Sequence, residues 1–156
     1  MPNVFIKKPH HRQEHDMSCL AACSKMLLDF TGNITAEKAL RDLLHTDAFG
    51  TVVANILVLN TALPETKTAI HRWPLSQLQN YLITKQRPCI VTVKTGLLPH
   101  WKGQDCAHAL VVHGFGDEYI LVNDPHFEDE EFRIMRDAFV LAWTELGNVV
   151  ITIERR

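Results

Sequence analysis

Apolar side chains recur at helical spacing in the first half of the chain. Between 19 and 30 they stand at positions 20, 23, 27 and 30, a spacing that predicts an amphipathic helix. Ser18 is a suitable N-cap and Gly32 follows the last apolar position, as at many helix ends. Similar spacing predicts further helices at about 35–44, at 51–63 before Pro64, and at 74–84 beginning with Pro74.

The second half of the chain changes to short runs rich in β-branched residues. Four such runs predict strands, namely CIVTV at 89–93, HALVVHGF at 108–115, YILVND at 119–124 and VVITI at 149–153. Only the three residues 116–118, which begin with glycine, separate the middle two runs, and this predicts a hairpin. Helices followed by antiparallel strands predict an α+β fold.

The turn of this hairpin decides which side chains share a face of the sheet. If Phe115 faces Tyr119, then His108 faces His126, and Asp124 lies one diagonal from His108 on the same face. A two-residue turn would instead place His108 and Asp124 on opposite faces. A pairing of these two side chains therefore requires the odd turn.

The composition is that of one ordinary globular domain, which we expect to span residues 1–156. Apolar residues make up 46% of the chain, and the formal net charge of -2 gives no strong attraction for nucleic acid or anionic membranes. No apolar run approaches the roughly 20 residues needed to cross a bilayer, and the N-terminus lacks a signal peptide. We therefore expect a cytoplasmic protein without membrane insertion.

The chain has four cysteines, Cys19, Cys23, Cys89 and Cys106. Without an export signal, reduced thiols that serve packing, catalysis or metal binding are more common than disulfides. The chain has no glycine-rich phosphate loop, because GFG at 114–116 lies in the predicted hairpin and not between a strand and a helix. We expect neither a nucleotide nor another cofactor.

Cys19 stands at the position that best suits a nucleophilic thiol. A thiol attacks carbonyls as the thiolate, which a helix N-terminus and a nearby base both stabilise. Cys19 lies in the first turn of the predicted helix, where free backbone amides favour negative charge, whereas Cys23 lies one turn deeper on the apolar stripe. His108 is a candidate base, and Asp124 on the neighbouring strand is a candidate to orient its ring.

A zinc site is an alternative for the same stretch. His11, His15 and Cys19 recur every four residues, and Cys106 and His108 add two more possible ligands. This spacing brings ligands together only on a helix, and the predicted helix begins too late to include the two histidines. The pattern therefore favours a nucleophilic thiol, and we expect no bound metal.

Several positions together resemble the double-glycine leader peptidases, a bacteriocin-processing family of papain-like cysteine peptidases. Gln13 precedes Cys19 by six residues, His108 precedes Asp124 by sixteen, and Pro125 follows directly. The resemblance continues in CLAA at 19–22, FGT at 49–51 and Trp143, and it spans about residues 10–153.

The resemblance implies a papain-like fold in which N-terminal helices pack on a C-terminal antiparallel sheet. It implies Cys19 as nucleophile, His108 as general base and acid, Asp124 as the residue that orients the imidazole, and Gln13 as an oxyanion donor. The implied reaction is cleavage of a peptide or protein substrate, with small residues such as Gly-Gly before the cut. Leu20 stands where the family usually has glycine, and its side chain could narrow the cleft.

Two other functions fit the same fold. A non-catalytic module would keep the cleft and only bind a peptide, although such members of the family typically lose the cysteine or histidine that this chain retains. An acyltransferase would use the same cysteine nucleophile and pass the acyl group to an amine or thiol instead of water. The sequence leaves both open beside hydrolysis.

Overall fold

The computed structural model describes residues 2–156. The α-helices are α1 (Cys19–Thr31), α2 (Glu37–Leu43), α3 (Leu59–Ala62), α4 (Leu75–Lys85) and α5 (Arg136–Thr144). The strands are β1 (Val4–Phe5), β2 (Thr66–Arg72), β3 (Cys89–Lys94), β4 (Ala107–Phe115), β5 (Tyr119–Asn123), β6 (Phe132–Met135) and β7 (Val149–Arg155). Short 3-10 helices cover Val53–Val58, Thr95–Leu97 and Pro99–Trp101. Within residues 2–156, no helix is long and apolar enough to span a membrane.

One antiparallel sheet organises the chain. Its strand order is β2-β7-β3-β4-β5-β6, and β1 pairs with the end of β4. Helix α1 packs on one face, where Leu20, Cys23 and Leu27 join a core with apolar side chains of β4 and β7. Helices α4 and α5 pack on the other face, around Leu78 and Trp143. The predicted α+β class is confirmed.

Helix α1 begins and ends where the sequence pattern predicts. Gly32 ends it with a φ of +87°, a left-handed conformation that glycine adopts without strain. Ser18 occupies the N-cap position, but its hydroxyl bonds the backbone N–H and carbonyl of His15 instead of a helix amide. The hydroxyl therefore leaves the first amides of α1 free, at the point where Cys19 begins the helix.

Strands and helices alternate more than the sequence pattern indicates. Strand β2 lies between α3 and α4, and α5 lies between β6 and β7, so the predicted order of helices before strands is wrong. Strand β2 is an edge strand whose polar threonines and charged residues hide the apolar signal that a central strand shows. The helix predicted at 51–63 is divided into the 3-10 helix Val53–Val58 and the single turn α3.

The hairpin of β4 and β5 has the predicted three-residue connection but not the predicted register at its turn. Phe115 pairs with Ile120 and not with Tyr119. If this register continued along the strands, His108 and Asp124 would lie on opposite faces of the sheet.

A β-bulge at His113 restores the required parity. On the inner side of the bulge Val112 pairs with Val122, so the register differs by one residue from that at the turn. With this register, His108 and Asp124 lie on the same face, as the sequence reasoning required. The placement of His108 and Asp124 on the same face therefore depends on an extra residue in β4 and not on the length of the turn.

Candidate active site

Three side chains from three elements meet at one end of the sheet. Cys19 begins α1, His108 lies near the start of β4, and Asp124 directly follows β5. The Nε2 atom of His108 lies 2.7 Å from Oδ1 of Asp124, and the same imidazole lies close enough to the Cys19 thiol that each group shifts the pKa of the other. His108 is 6% exposed and Asp124 is fully buried. The structure therefore brings together three of the four residues singled out in the sequence.

Asp124 accepts hydrogen bonds on both carboxylate oxygens. Oδ1 also accepts the backbone N–H of His126 at 3.0 Å, while Oδ2 lies 2.8 Å from both His100 Nε2 and Trp101 Nε1. Burial alone would raise the pKa of Asp124, but the bonds from His100 and His108 hold that pKa well below its usual range. The carboxylate is therefore a fixed negative charge next to the imidazole.

These contacts shift the pKa values of the thiol and the imidazole in opposite directions. Burial raises the pKa of Cys19, but the hydrogen bond and charge of His108, with the backbone amides of Ala109 and Leu20, lower it below its ordinary value. Burial lowers the pKa of His108, but the bonds to Asp124 and Cys19 raise it to about 10. Both shifts favour a thiolate–imidazolium pair at neutral pH.

The other three cysteines lack this environment. Cys23 and Cys89 are fully buried, and burial raises the pKa of both thiols. Cys106 is exposed and lines the same cavity as Cys19. Cys19 alone of the four combines a helix N-terminus with a hydrogen-bonded histidine.

Gln13 lies in the loop before α1, and its side-chain amide is turned into that loop. Its Nε2 donates to the carbonyl oxygens of His15 and Asp16, each at 2.8 Å, while Oε1 is buried without a partner among the described residues. The backbone N–H of Gln13 donates to the Pro125 carbonyl at 2.7 Å, which ties the loop to the residue after Asp124. Both side-chain N–H groups are therefore occupied in this arrangement.

A buried carboxylate on α2 holds the other side of this loop. Glu37 accepts the backbone N–H of Glu14 at 3.0 Å and lies 3.1 Å from His11 Nε2 and 3.0 Å from Arg41 Nε. Within residues 2–156, His11, Glu14 and Glu37 are the one group of three whose ligand atoms are close enough to share a metal ion. The Arg41 guanidinium already neutralises Glu37, and the other zinc ligands considered from the sequence lie outside this group.

The thiol and the imidazole open into a cavity of about 680 Å³. Its lining is mostly apolar and includes Met17, Phe49, Val53, Ile70, Trp101, Leu146 and Val149, and Asp16 and Arg72 are the charged members besides the Cys19–His108 pair. Leu20 also lines the cavity, but it is only 4% exposed and packs in the core beneath α1. Most of the Leu20 surface therefore faces the core, so it narrows the cleft little.

The sequence reasoning missed two residues of the site, His100 and Trp101. They belong to the 3-10 helix Pro99–Trp101 and donate to the second oxygen of Asp124. A signal was present, because LPHW at 98–101 places two rings in a proline-initiated turn shortly before the His108 strand. His126, expected opposite His108, has its ring centroid 6.3 Å from that of His108.

Solved peptidase structures share the fold over nearly the whole chain. A double glycine motif protease from an AMS/PCAT transporter, in complex with its leader peptide, is 19% identical, with a TM-score of 0.74 over 99% of this chain and 96% of that chain. The peptidase domain of Streptococcus ComA, a bifunctional ABC transporter of a quorum-sensing pathway, is 22% identical, with a TM-score of 0.76 over 94% and 97%. A cysteine protease of Carica candamarcensis is 14% identical, with a TM-score of 0.65 over 95% and 93%. The fold is papain-like.

The family relationship is settled by the sequence as a whole. No curated protein matches the chain at a significant level. The sequence model of the Peptidase C39 family matches residues 7–156, and the predicted relationship to the double-glycine leader peptidases is confirmed. The protein is therefore a cysteine peptidase, and it belongs to the Peptidase C39 family.

Proposed function

We propose that this chain is a single peptidase domain that cleaves a peptide or protein substrate through a Cys19–His108–Asp124 triad. The observation that carries this assignment is the His108 imidazole, which bonds a buried carboxylate at 2.7 Å and opens into the same cavity as the Cys19 thiol. Because the pKa of Cys19 is lowered and that of His108 is raised, the nucleophile is charged before the substrate arrives.

In the proposed acylation step, the Cys19 thiolate attacks the carbonyl carbon of the scissile amide. His108 bonds Asp124 through Nε2, so Nδ1 is the ring nitrogen that faces the thiol and gives its proton to the leaving amine. The C–N bond breaks and a thioester with Cys19 remains. A water molecule, deprotonated by the now neutral His108, hydrolyses that thioester and restores the ion pair.

Gln13 is the proposed side-chain donor to the oxyanion, together with a free backbone amide at the N-terminus of α1. Support comes from its placement in the loop that runs into α1 and from its backbone bond to Pro125. Its two side-chain N–H groups bond the His15 and Asp16 carbonyls, so a bound oxyanion must share or displace one of these acceptors. The role of Gln13 therefore requires a small rearrangement of this loop on substrate binding.

The proposed substrate is a peptide with small residues, such as Gly-Gly, before the cut. The structural relative described above that is bound to a leader peptide supports a peptide substrate here. The apolar lining of the cavity supports an uncharged, extended segment near the thiol. Small residues suit a cleft whose walls include the rings of Trp101 and Phe49.

The test is a peptide library that contains Gly-Gly sequences, incubated with the wild type and with Cys19→Ala. We expect turnover in the wild type, none in Cys19→Ala, and retention of turnover in the control Cys106→Ser, which removes the other thiol that lines the cavity. Binding without turnover in the wild type would indicate a binding module instead. Acyl products on an added amine, identified by mass, would indicate an acyltransferase.

A further inference from the structure

The outer edge of the sheet runs along the catalytic cavity. Strand β2 lies at this edge and pairs, within residues 2–156, with β7 alone, and its residues Ile70 and Arg72 line the cavity. In an antiparallel pair, backbone groups of alternate residues point away from the neighbouring strand, and at a sheet edge these groups are free to bond another chain. A further strand can therefore pair with β2 only where the outward-pointing backbone groups of β2 have no hydrogen-bond partner.

The backbone of Thr68 identifies which residues of β2 point outward. Its N–H donates to Asn60 Oδ1 at 2.8 Å, and its carbonyl accepts from Asn60 Nδ2 at 2.9 Å. Asn60 belongs to α3, beyond the edge, so both backbone groups of Thr68 point away from β7. Because the direction alternates with each residue, Thr66, Ile70 and Arg72 also point outward.

Outside the cavity, the outward-pointing backbone groups of β2 already have hydrogen-bond partners. Inside the cavity, they have none among the described residues. The Thr66 N–H bonds the Leu63 carbonyl, and the Thr66 carbonyl accepts from Arg156 Nε, each at 2.9 Å. Thr68 is capped by Asn60. Among residues 2–156, none bonds the outward N–H or carbonyl of Ile70 or of Arg72, and both residues line the cavity.

We infer that the bound substrate adds a short strand to β2 at Ile70 and Arg72, pairing through its own backbone with the outward N–H and carbonyl groups of these two residues. This inference rests on the proposed function, because the cavity that Ile70 lines is the one into which Cys19 opens. Strand addition holds a peptide through main-chain bonds, whatever its side chains. The Asn60 cap ends the available edge, so only a short segment pairs.

The sheet geometry gives the position of the paired residue relative to the cut. Ile70 is three strand spacings, about 14 Å, from β4 and level with Val111, which is three residues along the strand from His108. The direct path from Ile70 to His108 is therefore about 17 Å, which an extended peptide spans with about five residues.

The first test removes the outward N–H of Ile70. Proline is tolerated at such a position because its missing N–H takes no part in the β2–β7 ladder. We expect Ile70→Pro to have a kcat/KM about three- to tenfold lower than Ile70→Val, mainly through KM, as for one lost hydrogen bond. Equal kcat/KM values in two folded variants with equal rates of Cys19 alkylation would overturn the inference.

The second test uses wild-type protein and so does not depend on how Ile70→Pro folds. A cleavable Gly-Gly peptide from the library is prepared with a single N-methyl group on each backbone amide in turn, three to seven residues from the cut. We expect kcat/KM to fall at alternate positions, with the largest loss about five residues away. Uniform tolerance across these positions would contradict strand addition.

The same peptides separate this inference from the proposed function. If the wild type cleaves peptides without alternation, the inference fails and the proposed function stands. If no peptide is cleaved, the proposed function fails, and alternation in the Kd of the N-methyl peptides for Cys19→Ala still supports pairing at Ile70. If the Kd values of those peptides do not alternate, the inference of strand pairing fails as well.

Discussion

Two buried histidines on strand β4 have their pKa values shifted in opposite directions. His108 is 6% exposed and His113 is fully buried, five residues further along the strand. The pKa of His108 rises to about 10, whereas burial and the charge of Lys8 lower the pKa of His113 to about 3. Burial alone therefore does not decide the charge of a histidine in this sheet.

The difference lies in the partners that the neighbouring elements supply. His108 bonds a carboxylate that three other donors hold in place, and it faces a thiol. Neither ring nitrogen of His113 has a hydrogen-bond partner among the described residues, and the half-exposed Glu131 carboxylate lies 3.5 Å away. A buried imidazole is charged only where a buried carboxylate stabilises the charge.

His113 nevertheless determines where His108 lies. As the extra residue of the bulge, it sets the inner register that puts His108 and Asp124 on one face. Next to it, Gly114 lets β1 approach closely, since a Cβ there would clash with the Val4 carbonyl. The bulge near one end of β4 therefore sets the strand register, and His108 near the other end forms the charged pair with Cys19.

Removing the charge that distinguishes His108 should have the largest effect. We expect Asp124→Asn to lower kcat by about 10³- to 10⁴-fold, because the amide neither stabilises the imidazolium nor selects its tautomer. Steady-state kinetics on a cleaved peptide, with circular dichroism to check folding, measure this. A loss below tenfold would mean that Asp124 is only a structural partner of His108.

The second prediction concerns the pH range of the ion pair. The thiolate exists above the lowered pKa of Cys19 and is lost as pH falls through it, while the His108 cation is lost as pH rises through about 10. In His108→Ala the pKa of Cys19 should return toward its ordinary value, so alkylation at pH 6 should slow by about a hundredfold. Mass spectrometry of iodoacetamide-treated protein reads each cysteine separately, and unchanged labelling would contradict the pair.

A smaller effect is expected from His100, which acts through Asp124. We expect His100→Ala to lower kcat about tenfold with little change in KM, as for loss of one bond to a charged group. His100→Gln keeps a donor near Asp124 Oδ2 and should recover part of the activity. If alanine and glutamine variants are equally active, the bond to His100 does not position the carboxylate.

The smallest effect on activity is expected at His113, the other member of the comparison. His113→Phe keeps a ring in the bulge and removes two unpartnered buried nitrogens, so kcat/KM should stay within about twofold. The free energy of unfolding should stay the same or rise by about 1 kcal/mol. Denaturant unfolding measures this, and a large loss of stability would show that the ring nitrogens are bonded in solution.

Some elements were predictable because their signals are local. Helix α1, the strands β3, β4, β5 and β7, and the cysteine at a helix start follow from residue periodicity and end signals. Edge strand β2 was missed, since an edge strand buries too little for a clear pattern. Helix α5 was missed although its buried residues Phe139, Ala142 and Trp143 have helical spacing. The aromatic turn with His100 and Trp101 was missed because only folding brings it to Asp124.

The sequence by itself determined the family, the nucleophile candidate and the spacing that makes a triad possible, because these depend on residue types and their separation along the chain. The tertiary structure decided the rest. Register in a hairpin depends on a bulge that no turn signal reveals, and pKa values depend on charges contributed by distant segments. The open backbone at Ile70 likewise depends on tertiary structure, because Asn60 and Arg156 bond the outward groups of Thr68 and Thr66 but no residue reaches Ile70.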